Sequence, residues 1–409
     1  MITGTDRSGL KYAVRRSGSA VGYCSLSIKC GTRDEEGFHS GIAHFTEHTM
    51  FKGTMKKSAS CINSYLDRLG GELNAYTTKE EIVLHATTLR EDLSKAASLL
   101  LELATQATFP AKEVETEKGV VIDEILSYKD SPADDVYDRF EEALFAGHPL
   151  ARPILGTAAA VRKTDSDELG RFARLNFTPG RMAFTMVADL DEARMEKMIL
   201  RLSEKFFPGG ETLPESVLPA AAVPFNRFDR TVDKRRHEAN AVIGALAPSL
   251  YAGQDRIASV LLANILGGPA SNSLLGSILR ERNGWVYGVE CGYTQYRDTG
   301  IMAVSLGCDK ENLDKCLTAV DKALAAFKEK PMSERALKAA KKQMIGQLAI
   351  SSESGEAQCL SMGKSLLSFG RIASDEQNRA SIEAVTAEDL QRLASQIFDP
   401  DSLSRLIYL

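Results

Sequence analysis

The chain has 409 residues, 44% of them hydrophobic and 26% charged, with a formal net charge of -5. That balance excludes a disordered chain, and only 31 Gly and 13 Pro exclude a collagen-like or linker-rich one. The acidic total argues against a dedicated nucleic-acid binder, whose footprint is strongly basic. No apolar run approaches the ~20 residues of a membrane span, and Met1–Arg7 lacks the apolar core of a signal peptide; a cytoplasmic protein is expected. The seven cysteines form no CxxC pair and are odd in number. They read as free, mostly buried thiols of a reducing compartment and as poor metal ligands.

In chain order, alternation predicts a strand over Gly22–Cys30, followed by a polar turn and a helix from about Ser40. A helix over Cys61–Leu69 comes next, then strands over Leu73–Thr78 and Ile82–Thr88 and an amphipathic helix over Asp92–Thr105. Pro110 opens a helix over Ala111–Tyr128, as proline does at a first turn. Further helices cover Ser131–Leu144 and Asp165–Leu175, and Met182–Ala188 is a strand. Pro208, Pro214, Pro219 and Pro224 then crowd one stretch, which reads as a semi-extended linker near the midpoint of the chain. Beyond it, a strand over Ala239–Leu246, a polar turn and a helix over Ile257–Ile265 repeat the opening pattern. A duplicated α/β unit is inferred, with domains 1–207 and 231–409 and a linker over 208–230. The mixture of hairpins and helices favours α+β sandwiches over a doubly wound sheet.

Only six histidines occur, and two stand in His44-Phe45-Thr46-Glu47-His48. On a helix, residues i and i+4 share a face, so both imidazoles can address one ion. Glu47 borders that face and can reach a water on the ion without being a ligand. This is H-x-x-E-H, the inverted zinc-protease signature. The competing reading is a pair of histidines satisfied within a core. A catalytic zinc normally takes three protein ligands, and the helix 113–128 offers Glu117 and Glu124, two turns apart on one face. Periodicity does not choose between them.

The string Gly41–Thr54 resembles the signature of the pitrilysin/insulinase-type zinc metallopeptidases, which include the mitochondrial processing peptidases. The resemblance covers essentially the whole chain. It implies two homologous α/β sandwich domains of the processing-peptidase-like type, related by internal duplication. The position of the family's third ligand falls on Glu124, and a supporting acidic residue falls on Glu117. Asn74, Ala75 and Tyr76, followed by Thr77, are similar to the edge strand on which a peptide substrate is laid. Leu279–Tyr287 resembles a segment that carries Arg280 and Tyr287 as substrate-side residues. Arg280 would bind a peptide carbonyl or carboxylate, and Tyr287 would stabilise an oxyanion. Thr46, Trp285 and Ala188-Asp189 depart from the usual pattern and bear on specificity rather than on the metal.

The implied function is a zinc-dependent endopeptidase acting inside a dimeric chamber. One Zn²⁺ per chain is held by His44, His48 and Glu124, and Glu47 is the general base on zinc-bound water. Double-length relatives enclose substrate with four such units, so a homodimer is expected. The alternative is a heterodimer with an inactive homologue. A non-catalytic structural or binding subunit of the same fold is the rival reading, and such subunits typically lose residues of the motif.

Overall fold

The computed structural model describes residues 1–209 and 223–409. The expected linker 208–230 therefore lies mostly outside the described residues. The chain begins with β1 (Ile2–Thr5), β2 (Lys11–Arg16) and β3 (Val21–Ile28), then α1 (Ile42–Met50) and α2 (Ala59–Asp67). The hairpin β4 (Glu72–Thr77) and β5 (Ile82–Leu89) leads into α3 (Leu93–Gln106), α4 (Ala111–Asp130) and α5 (Pro132–Leu144). After α6 (Ala158–Lys163) and α7 (Ser166–Asn176) come β6 (Met182–Ala188) and α8 (Glu192–Phe206). The second half runs β7 (Asp229–Val232), β8 (Glu238–Ala247), α9 (Gln254–Gly267), a π-helical segment Gly276–Arg282, β9 (Val286–Gln295) and β10 (Gly300–Asp309). It closes with α10 (Leu313–Glu329), α11 (Glu334–Ser351), α12 (Gly355–Phe369), α13 (Asp375–Glu383), α14 (Ala387–Ile397) and β11 (Ser404–Tyr408). Every strand and helix expected from the sequence occurs within a few residues of its predicted place. The helix expected from about Ser40 starts at Ile42, because Gly41 has φ +89°, outside helical space.

The first sheet has the order β1-β2-β6-β3-β5-β4 and the second β7-β11-β8-β10-β9. In each, one pair is parallel, β2 with β6 and β7 with β11, and the remaining pairs are antiparallel. Strand for strand, the second sheet repeats the first without β1, so the fold is an α+β sandwich duplicated within one chain.

The compact units are interleaved along the chain, whereas the sequence suggested continuous domains 1–207 and 231–409. The first unit comprises 1–126, 152–219 and 350–373, and the second 127–151, 220–349 and 374–409. Each sheet buries one face against helices of its own half. On the first, Leu26, Ile28 and Leu84 pack with Phe45, Leu100 and Val121. The opposite face is covered by a helix from the other half of the chain. In the first unit that helix is α12, whose Cys359, Met362 and Leu366 lie on Ala13, Ala183 and Val187. In the second it is α5, whose Val136, Phe140 and Leu144 lie on Val242, Ile301 and Leu406. Gly363 permits the close approach of α12, since a Cβ there would sit 2.5 Å from Ser27 Oγ.

All seven cysteines are free, and six are buried. Among the described residues no helix is long and apolar enough to cross a membrane.

Candidate metal centre

Helix α1 carries the histidine pair, and its first turn is fixed by buried groups. Its N-cap, Gly41, has no side chain to take the free amides of the helix start. Glu35 takes them instead: its two oxygens accept from Gly41 N and Ala43 N, each at 3.0 Å. A side chain at Gly41 would meet Leu155 O at 2.7 Å, so glycine is required for position as well as for φ.

One helical turn apart, the rings of His44 and His48 have centroids 4.6 Å apart. Glu124 on α4 faces them, with Oε2 3.7 Å from His44 Nε2 and 3.3 Å from His48 Nε2. These three residues form a group whose potential ligand atoms all lie within 4.8 Å of one another. Glu117, two turns earlier on α4, does not join them. Its Oε1 is 3.0 Å from His48 Nδ1 and its Oε2 is 2.7 Å from Lys52 Nζ. Periodicity alone left Glu117 and Glu124 equivalent, whereas the structure separates them.

The donor set fits a metal on three counts. Two imidazoles and one carboxylate are a common catalytic zinc set, with room left for further ligands. Apart from its ion-pair contact with His48 Nε2, Glu124 Oε2 is buried without a hydrogen bond, and so is His44 Nδ1. The charge balance points the same way. Burial, helped by the neighbouring His48, lowers His44 to about 4 and leaves its lone pair available. Burial would lower His48 too, but the carboxylates of Glu117 and Glu124 outweigh it and push its pKa up to about 9. The carboxylates around His48 thus favour positive charge in the cluster, which a proton or a divalent cation can supply. Contact with His48 holds Glu124 below the usual carboxylate range.

Glu47 lies beside this cluster and is not one of its ligands. Burial raises its pKa, opposed by the Thr77 hydroxyl, which donates to Oε2 at 2.6 Å. Thr77 closes β4, which lies at the sheet edge. Along β4, alternate residues take opposite faces. Leu73 and Ala75 pack into the core beneath α1, whereas Tyr76 stacks edgewise on His85, whose Nδ1 is 3.0 Å from Glu356 of α12. Asn74 is exposed on the same face as Tyr76.

The remaining expected residues lie in the second unit. Arg280 is exposed in the π-helical segment, 3.8 Å from Glu281. Tyr287, on edge strand β9, is 62% exposed and donates its hydroxyl proton to Asp309 Oδ1 at 2.5 Å. That contact raises the Tyr287 pKa.

Sequence reasoning missed Lys52, Thr77 as the partner of Glu47, and Glu35. Lys52 stands four residues after His48, so helical spacing could have flagged it. Glu35 reaches α1 from outside any periodic pattern.

Residues 12–158 match the model described as insulinase, peptidase family M16, and residues 163–344 match the one described as peptidase M16 inactive domain. The uncharacterized zinc protease YmxG of Bacillus subtilis is 30% identical over 381 residues, 93% of this chain and 91% of that protein. An uncharacterized zinc protease of Streptomyces coelicolor is 28% identical, over 90% of this chain and 80% of its own. Among solved structures, a protease from Helicobacter pylori superposes with a TM-score of 0.88 at 21% identity, over 100% of this chain and 98% of that one. A peptidase M16 inactive domain from Pseudomonas fluorescens gives 0.90 at 19%, over 100% and 97%. Sequence, duplicated fold and histidine–glutamate cluster agree: the chain belongs to peptidase family M16, in its short two-domain form.

Proposed function

We propose that the protein is a zinc-dependent endopeptidase that hydrolyses peptides or unfolded segments. The observation that carries this reading is the convergence of His44, His48 and Glu124 with Glu47 held beside them. Zinc bound by these three side chains supplies Lewis acidity, making water a better nucleophile near neutral pH and polarising a carbonyl. Glu47 accepts the proton of the attacking water and returns it to the leaving amine. Burial suits it to both steps by raising its pKa, while Thr77 keeps one oxygen fixed. The exposed edge of β4, at Asn74, Ala75 and Tyr76, offers backbone groups to an extended peptide. Because the Tyr76 ring turns to the α12 face, that residue serves the peptide through its backbone. Arg280 binds a peptide carbonyl or carboxylate. Tyr287 donates to the developing oxyanion after exchanging Asp309 for substrate.

We further propose a homodimer, in which two chains bring together four units around the peptide. Sedimentation of the purified chain at twice the monomer mass supports it, and a monomer at working concentration removes it. The function itself is tested with a mixed peptide library scored by mass spectrometry, with zinc and with chelator. Cleavage that disappears with chelator and returns with zinc is expected. No cleavage under either condition would leave the non-catalytic reading.

A further inference from the structure

Glu117 is nearly buried, with its side chain 7% exposed, and among the described residues its partners are His48 and Lys52. The two contacts divide the carboxylate: one oxygen receives His48 Nδ1 and the other Lys52 Nζ. Glu117 and Glu124 share a face of α4, so spacing alone would let either join the metal ligands. Of the two, only Glu124 is gathered with His44 and His48, its Oε2 lying 3.7 and 3.3 Å from their Nε2 atoms. A carboxylate anchored at one oxygen pivots about its terminal torsion, which has no sharp rotamer wells; anchored at both, it is held in one plane. Lys52 follows the end of α1, close enough in sequence to His48 for one carboxylate to bridge both side chains.

We propose that Lys52 is a positioning residue for the metal centre. By holding one oxygen of Glu117 it keeps the other on His48 Nδ1, and so keeps His48 Nε2 turned toward His44 and Glu124. Lys52 also keeps Glu117 itself from turning in as a competing ligand. Outer partners of a metal-bound histidine set its ring orientation and tautomer, and their loss costs metal affinity. The inference rests on the metal reading above and adds a residue that touches neither metal nor substrate.

The test is zinc affinity of the full chain, measured by competition with a chromophoric chelator for the parent, Lys52→Met, Lys52→Arg, Glu117→Gln and the Lys52→Met/Glu117→Gln double variant. Lys52→Gln replaces Lys52→Met if the latter does not melt cooperatively. Lys52→Met is expected to weaken zinc binding about tenfold, while Lys52→Arg, which keeps the charge, recovers most of it. In the Glu117→Gln background the lysine change should have almost no further effect, because its route has been removed. Zinc binding by Lys52→Met equal to that of the parent would overturn the proposal, as would an undiminished loss in the Glu117→Gln background. A parent chain that binds no zinc would instead overturn the metal reading itself.

Discussion

At the scale of residues, the proposed mechanism assigns metal ligation and proton transfer to different side chains. His44, His48 and Glu124 converge, while Glu47 has one oxygen committed to Thr77. Glu47→Gln keeps the shape and removes the base. It is expected to bind zinc as the parent does while peptide turnover falls by about 10²–10⁴-fold. Parallel zinc titration and kinetics check this, and full turnover would remove Glu47 from its role. Thr77→Val deletes a hydrogen bond to a charged group, so kcat should fall about tenfold, and Thr77→Ser should restore it. Two of the three residues of the cluster were legible because H-x-x-E-H is a local pattern that one helix turns into geometry. Glu124 was legible only as one of two equivalents until the family resemblance chose it. Lys52 and Thr77 were not legible as partners, because their roles depend on how α1, α4 and β4 meet.

At the scale of elements, α1 depends on a buried acid at its start. Burial pushes the Glu35 pKa up to about 8, opposed by the amides of Ala43 and Gly41 and by Arg152. Its ordinary value is 4.5, so between the two the folded chain keeps a proton that the unfolded chain loses. The stability this proton contributes is fully present below 4.5 and is lost as pH rises through 8. Glu35→Gln lacks the titration, so the gap in melting temperature between parent and variant should shrink as pH is raised across this range. A constant gap would show that Glu35 does not titrate there. Helix α12 gives a second case. A larger side chain at Gly363 meets Ser27 Oγ, and Gly363→Leu should destabilise by about 1–3 kcal/mol, read from denaturant unfolding.

At the scale of the whole molecule, the secondary structure was far more legible than the partition into units. Periodicity reports that a helix has an apolar face and says nothing of which sheet receives it. α5 and α12 look like any other amphipathic helices, yet each covers a sheet built from the opposite half of the chain. Burial of Met362 and Leu366 contributes about 3–6 kcal/mol as an upper figure, a large share of a typical domain's 5–15 kcal/mol. Residues 1–209 expressed alone should therefore fail to melt cooperatively, and co-expression with 223–409 should restore a folded complex. A cooperative melt of 1–209 alone, matching that of the full chain, would refute this.

The same helix exchange bears on how the protein is made. The strands of the first sheet are all synthesised once β6 ends at Ala188, but the helix that covers them ends at Phe369. At roughly 5–20 residues per second, the ribosome takes about 9–36 s to cross that interval. During that time one face of the nascent sheet has no cover. Conversely, α5 leaves the ribosome before any strand of its own sheet exists. The first unit therefore lacks its last segment until residue 373 is made, by which point most of the second has also been synthesised.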